Sequence, residues 1–288
     1  MDARPEGGAP DGRAPDGSGA ADGGTRDGGD APDGALPSGD AGDAGRDGGR
    51  APRRFAPDVS FDYQLGGAYP PPAGVELLVR DRKDRPAPGR YNVCYVNGFQ
   101  TQPDERDFWT REHPDLVLRD EGGQPVVDPD WDEWLLDVTT AAKRRRLATI
   151  VGDWIARCAD DGFDAVEIDN LDSYSRSGGR ISEDDAVAFL ALLSARAHAV
   201  GLAIAQKNAA ELLPRRDEMG TDFAVVEECN RYDECDAFAR AYADRILVVE
   251  YRRRDFDRGC RRYPGLSIVL RDRDLRTPDQ PGYVYDGC

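Results

Sequence analysis

The chain has 288 residues, of which 55 are acidic and 38 basic, giving a net charge of −17. Grasping a phosphate backbone needs a basic surface, so this balance argues against nucleic acid and, by the same sign, against anionic membranes. No stretch nears the ~18 apolar residues of a membrane span, and the N-terminus shows no apolar run of the signal-peptide kind.

Residues 1 to about 50 are almost entirely Asp, Gly, Ala, Pro and Arg, with one leucine (Leu36) and no aromatic, Ile or Val. Too little apolar surface is available there to offset the entropy of ordering, which predicts a disordered low-complexity leader over 1–54. The remainder, 55–288, has the length of one α/β barrel. Candidate strands follow at 61–65, 75–79, 91–96, 134–138, 164–169, 202–206, 223–227, 246–250 and 266–270. Several are continuous apolar runs, as parallel strands covered by helices require.

Helical patterns separate the later strands. Leu147, Ile150, Val151, Trp154, Ile155 and Cys158 form one stripe at helical spacing. A second helix opens at a capping-box pair, Ser182 and Asp185, and stops at Gly201. The segment 234–245 reads as a shorter helix. Strand–helix alternation predicts a parallel α/β sheet, and at this length the expectation is a (β/α)8 TIM barrel. Its N-terminal half should be irregular, because the gaps after the first two strands are too short for full helices. Nine candidate strands exceed eight, so one of 134–138 and 266–270 should lie outside the barrel. An open doubly wound sheet is the competing architecture, but "GGAYPPPAG" (66–74) is no glycine-rich phosphate loop.

Six cysteines include no CxxC pair, and there are only two histidines, which argues against a zinc site. Cys229, Cys235, Cys260 and Cys288 crowd the C-terminal fifth, where disulfides among them would imply an oxidising compartment. Cys94 and Cys158 sit in apolar patterns and read as buried thiols.

The apolar runs end in residues of catalytic type: Asp62 and Gln64, Asp169 and Asn170, Lys207 and Asn208, Glu227 and Glu228, Glu250 and Tyr251. In a closed barrel those ends form one rim, where active sites sit. Two carboxylates meeting there suit glycosidic bond cleavage, one ionised and one protonated. Asp169 and Glu227 are the natural pair. Strand alternation puts Glu167 on the face of Asp169 but deeper, where a negative neighbour would raise a partner's pKa. Alternative readings are an Asp169–Asp172 cation site, a Schiff-base lysine at Lys207 as in an aldolase, and a carbohydrate-binding barrel without catalysis. Trp109, Trp131, Trp134 and Tyr174 are aromatic candidates for stacking on sugars or for packing.

Four stretches, "GFDAVEIDNLDSY" (162–174), "AHAVGLAIAQKN" (197–208), "DFAVVEECNRYDEC" (222–235) and "VVEY" (248–251), resemble glycoside hydrolase family 114, the endo-α-1,4-polygalactosaminidase-like barrels. Weaker likenesses lie at "FDYQL", "CYVNGFQTQ" (94–102) and "WLLDV". With these the resemblance spans most of 58–272 in family order. It implies a barrel that cleaves α-1,4-linked galactosamine polymers without a metal or organic cofactor. Asp169 would be the nucleophile and Glu227 the acid/base, with Asp62, Tyr95, Asn170, Asp172, Lys207, Asn208, Glu250 and Tyr251 lining the cleft. It further implies a secreted or cell-surface enzyme, and the expectation is a monomer whose partner is a cationic amino-sugar polysaccharide.

Overall fold

A computed structural model describes residues 51–288. Eight parallel strands form the barrel: β1 (Phe61–Gln64), β2 (Leu77–Asp81), β3 (Tyr91–Asn97), β4 (Ala165–Asp169), β5 (Ala203–Lys207), β6 (Phe223–Glu227), β7 (Ile246–Glu250) and β8 (Ser267–Arg271). They pair in chain order, and β9 (Tyr285–Gly287) adds antiparallel to β8. The register places Asn97 beside Asp169 and Glu227 beside Val249, so the C-terminal strand ends share one rim. The β1–β8 seam is bridged by a side chain. The buried Arg271 guanidinium donates to Asp62 Oδ1 at 3.0 Å and to the Tyr63 carbonyl.

Alternation decides what fills the barrel. Tyr63, Val79, Val93, Ala165, Ala205, Val225 and Val249 pack within one inner cluster. The opposite strand faces meet the helices. Helix α1 (Ala141–Asp161) starts where the Thr140 hydroxyl accepts from Lys143 N at 3.2 Å and ends at Gly162, whose φ of 96° suits glycine. Its predicted stripe is buried except at Ile150, which is half-buried. Helix α2 (Glu183–Ala199) carries the expected capping box between Ser182 and Asp185. Helices α3 (Cys235–Tyr242) and α4 (Arg253–Arg262) cover the last strands.

The irregular half is as expected. No helix joins β1 to β2 or β2 to β3. Between β3 and α1 lies an insert with its own small antiparallel sheet, Gln100–Thr101 with Glu133–Leu135 and Val127–Asp128. This resolves the surplus candidate: 134–138 belongs mainly to the insert sheet, and 266–270 is barrel strand β8.

Of the leader expected over 1–54, residues 1–50 lie outside the described residues. Arg53 forms an ion pair with Asp164 at 3.1 Å and its carbonyl accepts from the Tyr91 hydroxyl at 2.7 Å. Three disulfides are present. Cys229–Cys235 and Cys260–Cys288 fall among the four expected cysteines. Cys94–Cys158 corrects the reading of buried thiols. Both residues are buried, but Cys94 on β3 faces α1, where Cys158 lies on the packed stripe, so the two sulfurs meet. No described helix is long and apolar enough to cross a membrane.

Candidate active site

The rim surrounds a cavity of about 350 Å³. Asp169 at the end of β4, Lys207 at the end of β5 and Glu227 at the end of β6 converge in it. The Lys207 ammonium lies 3.0 Å from Asp169 Oδ1, 3.0 Å from Glu167 Oε1 and 3.3 Å from Glu227 Oε2. Both proposed catalytic carboxylates therefore hold the same nitrogen. Their nearest oxygens are no more than about 6.3 Å apart, the sum of their two distances to that nitrogen.

Each carboxylate is further oriented. Asp169 accepts from the Tyr95 hydroxyl at 2.7 Å and from its neighbour Asn170 N at 2.8 Å. Glu227 accepts from the Tyr251 hydroxyl, and from Asn208 Nδ2 at 3.2 Å, while its own N–H donates to Asn208 Oδ1 at 2.8 Å. Asn170 and Asn208 have φ of 65° and 46°, a left-handed turn that asparagine tolerates. Each turn brings the amide of the residue after the strand back over the rim.

Electrostatics separates Asp169 from Glu167 beneath it. Burial pushes the Asp169 carboxyl up, but the Lys207 ammonium and the bonds from Tyr95, Lys207 and Asn170 outweigh it and hold the group below its ordinary value. Glu167, fully buried beneath, goes the other way: burial raises it to about 7, with Asp169 adding to the rise and Lys207 opposing it. Its Oε1 accepts from the Tyr63 hydroxyl at 2.7 Å, and its Oε2 has no partner. The negative neighbour thus raises Glu167 itself, while Lys207 keeps Asp169 low. Burial disfavours the Lys207 ammonium, yet Asp169, Glu227, Tyr63 and Glu167 together raise it well above the ordinary lysine value. A Schiff-base lysine needs the reverse shift.

Eight of the ten sequence-predicted residues line the cavity: Tyr95, Asp169, Asn170, Asp172, Lys207, Asn208, Glu227 and Tyr251. Asp62 and Glu250 do not, and this corrects their assignment to the cleft. Both are buried on the outer strand face, Asp62 against Arg271 and Glu250 accepting from Asn230 N at 2.9 Å. Asp62 sits one residue out of phase with inward-facing Tyr63, and Glu250 one out of phase with Val249 and Tyr251. Cys229, Cys235 and Glu250 cluster as metal sites do, but the two sulfurs are bonded to each other. Asp172 is engaged by Arg176 at 2.8 Å, which leaves its pairing with Asp169 as a cation site without support.

Sequence reasoning missed Tyr63 and Glu133. Tyr63 was legible from strand alternation. Glu133 lies in the insert, where no barrel periodicity applies; it accepts from Asn97 Nδ2 at 2.8 Å, and burial raises it to about 7. Trp131 lines the cavity and is 56% exposed, whereas Trp109 is core.

Two solved structures share the barrel. Ega3 of Aspergillus fumigatus, crystallised with galactosamine, matches with a TM-score of 0.66 at 21% identity over 83% of this chain and 98% of its own. The glycoside hydrolase domain of PelA from Pseudomonas aeruginosa matches with a TM-score of 0.55 at 19% identity over 79% and 97%. At these identities the likeness shows the fold. No curated protein matches the chain. The pattern of the glycoside-hydrolase family GH114, however, matches residues 44–288, so the chain belongs to that family and is a glycoside hydrolase.

Proposed function

We propose that the chain is an endo-acting hydrolase of α-1,4-linked galactosamine polymers that works through Asp169 and Glu227 with retention of configuration. The observation that carries the reading is the meeting of both carboxylates on Lys207 Nζ. The galactosamine bound in the similar Ega3 barrel supports the sugar class. Retention needs carboxyls ~5–5.5 Å apart and inversion ~6.5–9.5 Å. Both carboxylates lie within 3.3 Å of one nitrogen, a closeness that fits the shorter separation, and the anomer formed first decides between the two.

In the first step Asp169 Oδ attacks the anomeric carbon, the bond to the glycosidic oxygen breaks, and Glu227 gives that oxygen its proton. In the second, Glu227 takes a proton from water, the hydroxide displaces Asp169, and the enzyme returns to its starting state. Lys207 keeps Asp169 ionised for attack, and Tyr95 fixes the carboxylate plane. No metal or organic cofactor enters these steps. Three disulfides support a secreted or cell-surface setting.

Asp169→Asn should lower release of reducing ends from de-N-acetylated polymer by ~10³-fold or more while binding persists in calorimetry. Full activity in that variant ends the assignment. Proton NMR of the first product should show the α-anomer, and a β-anomer would replace retention with inversion.

A further inference from the structure

The cavity over Asp169 adjoins a second one of about 390 Å³. Glu227, Asn208 and Tyr251 line both, whereas Asp169, Lys207 and Tyr95 line the first alone. Beyond Glu227 the second cavity is walled by Glu228, Tyr232 and Glu234, none of which lines the first. The two carboxylates therefore have different reach. A nucleophile must meet the anomeric carbon, so the sugar that carries it occupies the cavity of Asp169. The acid must meet the glycosidic oxygen, so the sugar leaving with that oxygen lies across Glu227.

We propose that the second cavity binds the reducing-end, leaving-group side of the chain, with Tyr232 as a stacking platform and Glu234 as the carboxylate that takes a sugar ammonium. This rests on the hydrolase reading above and adds the direction in which the chain lies. Tyr232 is 58% exposed, and with Trp131 at 56% it is among the most exposed large apolar side chains of the described residues. Both line this cavity. An aromatic ring at a cleft wall offers an apolar face of the kind a sugar ring covers; the Arg231 guanidinium lies over the Tyr232 ring at 5.0 Å, so a sugar would take the opposite face.

Charge singles out Glu234. Of the carboxylates lining the second cavity, Asp172 is paired with Arg176, Glu227 with Lys207 and Glu228 with Arg231, at 2.8, 3.3 and 3.0 Å. Glu234 has no ion pair among the described residues, and burial followed by the neighbouring Glu211 raises its carboxyl. An ammonium docked there would supply the opposite charge that offsets both effects. A covalent closure holds this segment in place. The Cys229–Cys235 disulfide closes the loop that carries Tyr232 and Glu234, and Glu234 N donates to the Cys229 carbonyl at 2.9 Å.

The test uses α-1,4-galactosamine oligomers labelled at the reducing end, one set fully de-N-acetylated and one N-acetylated on the labelled side. Tyr232→Ala should lower kcat/KM about tenfold. It should also move cleavage toward the reducing end, giving shorter labelled products, because filling the site beyond Glu227 no longer stabilises the complex. Tyr232→Phe should restore the wild-type pattern. Glu234→Gln should narrow the preference for an amine over an N-acetyl group on the labelled side. Cleavage moving toward the non-reducing end would reverse the assigned direction, and an unchanged pattern at unchanged kcat/KM would remove the site. If the wild type cleaves none of the oligomers, the hydrolase reading fails first and the direction falls with it.

Discussion

At the scale of single residues, the site depends on one cation shared by three carboxylates. Lys207 opposes the effect of burial on Asp169, so its removal should let that carboxyl rise. Lys207→Met should shift the acidic limb of kcat/KM up by ~1–3 pH units, which a pH–rate profile reads directly; an unmoved limb would deny Lys207 that role. Glu167 carries a stability signature. Its folded pKa of about 7 exceeds the unfolded value, so between roughly pH 4.3 and 7 the folded state binds more protons. Stability from this group is present below that window and falls as pH rises through it. Glu167→Gln should flatten the decline by roughly 1–3 kcal/mol in urea melts across that range. The acids at strand ends were legible in the sequence because they punctuate apolar runs. Which of them face inward required strict counting by twos, and Asp62 and Glu250 fail that count. Glu133 had no such signal, since the insert has no strand period to count along.

At the scale of elements, strands β4 to β8 were readable because helical patterns lie between several of them, and the longest two helices carry their own caps. Ser182 marks a start that the backbone then respects, while Thr140 and Gly162 are ends that only the structure revealed. The segment 134–138 looked like a barrel strand because it is apolar, but it pairs antiparallel with the insert. Composition gives a strand no partner, and pairing is decided by what lies alongside. The Cys94–Cys158 bond was hidden for the same reason: 64 residues separate two cysteines that only the packing of α1 on β3 unites. Closing so long a loop should matter. The double variant Cys94→Ala, Cys158→Ala should lose about 4 kcal/mol in urea unfolding, and a loss under 1 kcal/mol would show that packing alone holds α1 on β3. The seam gives a parallel case. Asp62→Ala strands the buried Arg271 guanidinium and should cost about 3–5 kcal/mol, an effect on stability rather than on the pH–rate profile.

At the scale of the whole molecule, charge and substrate chemistry meet. The first fifty residues hold eleven carboxylates and five arginines, which leaves −11 on residues 51–288. The negative field is concentrated at the rim, where eight carboxylates and three cations line the main cavity. Low-dielectric walls focus such a field into the cleft and raise the local concentration of a cationic polymer. Long-range attraction of this kind is screened within ~8 Å at physiological ionic strength and far less at low salt, whereas the bonds holding Asp169 and Glu227 at Lys207 are short and half-buried. Steering and chemistry should therefore separate on a salt titration. With de-N-acetylated polymer, KM should rise several-fold as ionic strength climbs from ~0.01 to 0.5 M, while kcat stays within about twofold. A salt-independent KM would show that net charge serves the molecule's solubility and not its encounter with substrate. A kcat that fell in step with binding would place the screened charges inside the reaction itself.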